Sequence, residues 1–243
     1  MPSRRPAVGK IALALAVFAA IFGSWTVVQS QAVLKAHTTV LPDAGGHQGA
    51  CVLWFMGSSS IHNWTSLESD MRPWIAHNRG VGGATLAEVR DRFAAEPTPP
   101  PPQAIVLYAG ENDIAAGKTA ADTVADLGGF LAVKSRKFGE VPVFVISLKP
   151  TPGRWADRPA QAIFNEAARG IAKRRSDVFF IDVVDELMVG DQPGPFYNED
   201  GIHMNAAGYR LWAGSVRRAL SGKLPSAISR RCGSTGPAAA THA

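Results

Sequence analysis

The chain has 243 residues, 46% of them hydrophobic, with two cysteines and a formal net charge of +5. That length suits one globular domain with extensions, and its core needs no metal or disulfide staple, which points away from a small cross-linked scaffold. The positive charge is grouped at the start (Arg4, Arg5, Lys10) and near the end (Arg217, Arg218, Lys223, Arg230, Arg231) without interleaved aromatics, so it reads as topology signal and solvated surface, with no nucleic-acid partner.

Residues 1–10 form a basic leader expected to stay in the cytoplasm. Residues 11–28 (IALALAVFAAIFGSWTVV) carry no charge. A run of roughly 18 apolar residues is at the lower limit for a membrane span and long for a secretory core. Signal anchor and signal peptide both fit, and a small-x-small site at Ser30-Gln31-Ala32 serves the second. Either way the rest of the chain is expected outside the cytoplasm, periplasmic or secreted, held to the inner membrane if the segment is uncleaved. Residues 29–48 are polar, contain Pro42, Gly45 and Gly46, and read as a linker.

The folded domain is expected over 49–222. Short apolar runs at 51–56 (CVLWFM), 74–78, 104–109 (AIVLYA), 141–147 (VPVFVIS) and 178–183 (VFFIDV) read as buried parallel strands. Between them, 85–96, a stretch around 119–137 and 159–175 have helical spacing, and a last helix fits 205–221 with Asn205 as N-cap. Strand–helix alternation implies a parallel sheet covered on both faces. The proline run Pro97 to Pro102 reads as an extended connector that is neither helix nor strand. Residues 223–243, rich in Ser, Gly, Ala and Arg, read as a disordered tail. Cys51 and Cys232 show no metal-ligand spacing; a disulfide between them and two free thiols fit equally well.

In an open parallel sheet the C-terminal strand ends share one edge, and that edge carries the ligand crevice. Four segments should therefore meet there: Gly57-Ser58-Ser59-Ser60, Arg79-Gly80-Val81-Gly82-Gly83, Gly110-Glu111-Asn112-Asp113, and the loop ending Asp200-Gly201-Ile202-His203. These groups suit acyl transfer. A serine hydroxyl needs a base within hydrogen-bond reach, the base needs a carboxylate to fix its tautomer, and the oxyanion needs preorganised donors. Ser59 is the candidate nucleophile, His203 the base and Asp200 its partner. The N–H groups of Ser59 and Gly83 and the amide of Asn112 are the candidate oxyanion donors. Among the other histidines, His37 and His47 fall in the linker, His242 in the tail and His77 inside a strand. His62 is one turn from Ser59, where it could line a pocket or simply be surface. Neither G-S-S-S nor D-x-x-H is specific alone; each following a strand, in this order, carries the weight.

These blocks resemble the SGNH (GDSL-type) hydrolases over roughly residues 51–221. Gly57-Ser58-Ser59 matches the first block with serine in place of aspartate. Gly83 matches the glycine of the second, Gly110 to Asp113 the whole of the third, and Asp200 to His203 the last. Ser147-Leu148-Lys149-Pro150 with Arg154 is similar to one subgroup, with no role beyond pocket wall or loop scaffold. The resemblance implies a flavodoxin-like three-layer α/β/α sandwich around a five-stranded parallel sheet. It also implies carboxylic-ester hydrolysis and no cofactor. No histidine pair stands at ligand spacing, which argues against a metal, and an extracytoplasmic location favours a small ester substrate such as an acetylated glycan or a lipid.

Three other readings compete. An acyltransferase would use the same acyl-enzyme. A glycan-binding module could sit on the same fold without catalysis. An α/β-hydrolase would need G-x-S-x-G, but Ile61 stands two after Ser59. Acyl length and oligomeric state are not encoded in any pattern read here.

Overall fold

A computed structural model describes residues 40–42 and 49–234. The expectations for the leader, the apolar stretch 11–28, most of the linker and residues 235–243 lie outside the described residues. Among the described residues no helix is long and apolar enough to cross a membrane.

Five strands form one sheet: β1 (Gly49–Gly57), β2 (Ile75–Gly80), β3 (Pro102–Tyr108), β4 (Val143–Ile146) and β5 (Val178–Ile181). Every neighbouring pair is parallel and the order is β2-β1-β3-β4-β5. The expected strands are all present, with ends displaced by one to a few residues. Parallel strands buried on both faces read as unbroken apolar runs, which is why the runs were visible. Pro102 is the exception to the connector expectation, because it opens β3 and pairs with Gly49. The first residue of a strand is where a missing N–H is tolerated.

Side chains alternate across the sheet. Trp54 on β1 meets Phe138 with ring centroids 5.6 Å apart, while its neighbour Phe55 meets Trp64 on the other face at 5.6 Å. Phe138 ends helix α5 (Ala120–Phe138), which packs with α3 (Leu86–Ala95) and α6 (Arg158–Arg174). Trp64 follows the short helix α1 (Ser59–His62) and precedes α2 (Leu67–Asp70), and it stacks on Tyr209 of α7 (Ala206–Lys223). A fully buried aromatic or leucine side chain contributes roughly 1.5–3 kcal/mol, so these two facing layers hold the sandwich together. The short helix α4 (Glu111–Ala115) follows β3, and a small hairpin, β6 (Met188–Val189) with β7 (Gln192–Pro193), lies outside the main sheet.

Helix starts follow local chemistry. Thr85 and Glu88 form a capping box on α3, Thr119 caps α5, and Asn205 accepts from Ala207 and Gly208 N–H at the start of α7.

Two boundary expectations are corrected. Leu41, placed in the linker, is 1% exposed; its N–H donates to Glu96, and the Pro42 carbonyl accepts from Arg79. An apolar side chain with a polar anchor on each side docks wherever the core has room. Residues 226–234, placed in a disordered tail, form helix α8 (Ser226–Ser234), with Cys232 buried and disulfide-bonded to Cys51. The covalent link and the burial of Cys232 fix a segment whose composition gives no such signal.

Candidate active site

The sheet register brings the site together. Gly57 lies opposite Gly80 on one side and Tyr108 on the other, so β1, β2 and β3 end at one level. The crossing from β1 to β3 is where strand order reverses, the place an open α/β sheet presents its crevice.

Ser59 opens α1 immediately after β1. The turn is tight: the Ser58 N–H donates to the Tyr108 carbonyl at 3.0 Å. A Cβ on Gly57 would lie 2.0 Å from that carbonyl oxygen, so only glycine fits. Asn78 ties α1 to β2, donating from Nδ2 to the Ile61 carbonyl at 2.7 Å, and Tyr209 holds it from below through a 3.0 Å bond to the Ser60 carbonyl. Neither tether was foreseen; a polar Asn inside an apolar strand run was the available signal for the first.

The Asp200–His203 loop is closed on itself. Asn198 N–H donates to the His203 carbonyl at 2.8 Å, and Tyr197 bridges to Met204. Asp200 Oδ1 accepts from the N–H groups of Ile202 (2.8 Å) and His203 (2.9 Å), and Oδ2 lies 2.6 Å from His203 Nδ1. His203 Nε2 lies 2.9 Å from Ser59 Oγ. With Nδ1–H donated to the Asp200 carboxylate, Nε2 turns its lone pair to the serine hydroxyl. The His203 hydrogen bond, helped by the Ile202 N–H, lowers the Asp200 carboxyl to about 2, so it is ionised at any ordinary pH.

The three expected oxyanion donors lie in the segments that follow β1, β2 and β3. The Ser59 N–H, first in its helix, has no intrahelical acceptor. Gly83 sits in the turn after β2 with φ +72° and open space where a Cβ would be. Asn112 lies on α4 and donates from Nδ2 to the Ala84 carbonyl at 3.0 Å, which links the third block to the residue after Gly83. Asp113 reinforces the link by accepting from the Leu86 N–H at 2.8 Å; burial pushes its carboxyl up. His62 is exposed at the end of α1, and among the described residues no hydrogen bond joins its side chain to the relay.

Beneath Asn112 lies a charged cluster the sequence did not reveal. Glu111 is buried and accepts from the Tyr108 hydroxyl and from Lys149 Nζ, the latter at 2.7 Å. Arg154 reaches Asn112 Oδ1 at 2.9 Å and Glu111 Oε1 at 3.4 Å. Burial raises Tyr108 well above an ordinary phenol and lowers Lys149, the second opposed by Glu111. Among the described residues no group of three or more His, Cys, Asp or Glu is placed to hold a metal ion.

A model of the GDSL-like lipase/acylhydrolase family matches residues 45–211. Among solved structures, a GDSL-like lipase from Bacteroides thetaiotaomicron VPI-5482 superposes with a TM-score of 0.62 at 20% identity, covering 75% of this chain and 95% of that one. A lipase/acylhydrolase from Enterococcus faecalis gives 0.59 at 20% identity, over 72% and 97%. A carbohydrate esterase family 3 protein from Talaromyces cellulolyticus gives 0.58 at 16% identity, over 74% and 98%. At such identities the likeness speaks for the fold. A comparison with curated proteins found no match.

Proposed function

The chain belongs to the GDSL-like lipase/acylhydrolase family, and for this member we propose carboxylic-ester hydrolysis through an acyl-enzyme on Ser59. The observation that carries the reading is the unbroken relay from Ser59 Oγ to His203 Nε2 (2.9 Å) and from His203 Nδ1 to Asp200 (2.6 Å). Ser59 Oγ attacks the ester carbonyl carbon while His203 takes its proton. Asp200 holds the imidazole in its tautomer and balances the imidazolium. The N–H groups of Ser59 and Gly83 and the second N–H of Asn112 receive the oxyanion. Collapse expels the alcohol, which takes the proton back from His203, and water then releases the acid by the same route.

A small ester is the substrate class. The neighbour described as a carbohydrate esterase makes an acetylated glycan one such ester, and the lipases make a lipid another. The domain works outside the cytoplasm in this reading: the Cys51–Cys232 disulfide suits an oxidising compartment, and the apolar stretch 11–28 supplies the export signal or anchor.

The test is a series of p-nitrophenyl esters from acetate to octanoate on wild type and Ser59→Ala. The alanine variant should lose about 10⁴-fold or more in kcat across the series. Turnover that survives in Ser59→Ala refutes the acyl-enzyme.

A further inference from the structure

The Ser–His–Asp relay uses none of Tyr108, Glu111, Lys149 or Arg154, yet the four form one chain of contacts that ends, through Arg154, on Asn112. Burying ions is costly, and their mutual attraction offsets that cost only when the pairing geometry is good. Lys149 and Tyr108 both bond Glu111 Oε2, and Glu111 Oε1 forms no hydrogen bond in the described residues. Arg154 stands 3.4 Å from that oxygen, with its side chain 21% exposed. The residue before it is also held: the Gly153 N–H donates to the Gly201 carbonyl at 2.8 Å, between Asp200 and His203.

The chemistry at Asn112 follows from its two bonds. A primary amide has two N–H donors and one carbonyl acceptor. One N–H is spent on the Ala84 carbonyl, and the carbonyl takes Arg154 at 2.9 Å, so the amide plane is fixed and one N–H is left over. A cation bonded to the amide oxygen draws electron density from the nitrogen and makes that remaining N–H a stronger donor.

We propose that Arg154, braced by Glu111, is a positioning residue for the oxyanion hole: it orients and polarises Asn112, and acts on the reaction only through that amide. The proposal rests on the acyl-enzyme reading of Ser59.

An alkyl fluorophosphonate tests both and keeps them apart. It forms an O–P bond at Ser59 and loses fluoride, the serine proton passing to His203, and its phosphoryl oxygen occupies the oxyanion position whatever the natural ester is. Labelling is followed by intact mass in wild type, Arg154→Met, Asn112→Ala and the double variant, with thermal melts to confirm folding. Arg154→Met should slow the covalent step by tenfold or more, short of the roughly 10²–10³ of losing a donor outright. The reversible binding constant should stay unchanged, and the second substitution should cost less than about twofold when Asn112 is already alanine. Arg154→Lys, which keeps the cation, should slow the step less than Arg154→Met. An equal slowing with and without Asn112, no slowing at all, or a lysine variant as slow as methionine overturns the proposal while leaving Ser59 in place. Should Arg154→Met not fold, Arg154→Gln runs the same cycle with the same deciding outcome. No labelling at Ser59 in wild type brings down the acyl-enzyme reading itself.

Discussion

Two fully buried lysines stand at opposite edges of the sheet. Lys134 on α5 reaches Asp177, the residue before β5, and so sits at the edge where strands begin. Lys149 follows β4 and sits at the edge where strands end, beside the candidate site. The Lys134 cluster is closed: Nζ also donates to the Gly139 carbonyl at 2.9 Å, and Asp177 takes Arg175 through both oxygens at 2.8 and 2.6 Å. The Lys149 cluster is open: Glu111 keeps an oxygen free of hydrogen bonds in the described residues, and Arg154 carries the chain of charge on to Asn112. A closed cluster can only hold parts together, whereas an open one can hand its field to a reacting group.

Four measurements probe that contrast. Asp177→Asn should have the largest effect, on stability alone. It leaves Lys134 buried beside a neutral partner, which costs about 3–5 kcal/mol in a chemical denaturation curve. The kcat of the folded fraction should not change, and a fall in kcat would erase the distinction between the two edges. Asn112→Ala should do the reverse. Turnover of an aryl ester drops about 10²–10³-fold, equivalent to about 2.7–4 kcal/mol, with little change in melting temperature. Unchanged turnover would remove Asn112 from the site.

Gly153→Ala comes next, because it strikes the joint between Arg154 and the Asp200 loop. A Cβ there would meet Ile202 Cγ1 at 2.8 Å and the Asp200 carbonyl oxygen at 2.9 Å. Overpacking of this kind costs about 1–3 kcal/mol, and here kcat should fall alongside stability. A variant that melts like wild type and keeps its kcat would show the joint to be slack.

Acid unfolding gives the smallest effect. Arg175, with Lys134, holds the Asp177 carboxyl well below the usual carboxylate range, while Asp200 is held at about 2 but is exposed. A carboxyl lowered in the folded state adds stability that is complete above its unfolded value near 4 and lost as pH falls below it. Asp177→Asn should therefore flatten the loss of stability between about pH 4 and 2. Asp200→Asn should leave that limb nearly as in wild type, since solvent screens the exposed pair.

The sheet and the four loops were legible because each rests on a local signal. The runs 51–56 and 104–109 are apolar without interruption, as strands buried on both faces must be, and Ser59 and Asn112 follow them directly; Gly83 and His203 stand in the loops after the runs 74–78 and 178–183. Asn205 and Thr85 announce their helices by side-chain oxygens placed to cap them. The two lysine clusters were not legible. Lys134 and Asp177 lie 43 residues apart and Lys149 and Glu111 lie 38 apart, so no spacing rule pairs them. Arg154 stood out in the sequence but acquired a partner only when the chain folded Asn112 against it. Helix α8 was missed for another reason: what fixes it is a bond to a cysteine at the far end of the domain.

That bond has a consequence for how the domain comes apart. Cys51 and Cys232 are separated by 181 positions, and Ser59, Gly83, Asn112, Asp200 and His203 all fall inside the ring they close. A protease that nicks one exposed loop of this ring severs the backbone yet releases no fragment, so the cleaved molecule stays one covalent unit, heavier by a single water, until a reductant is added.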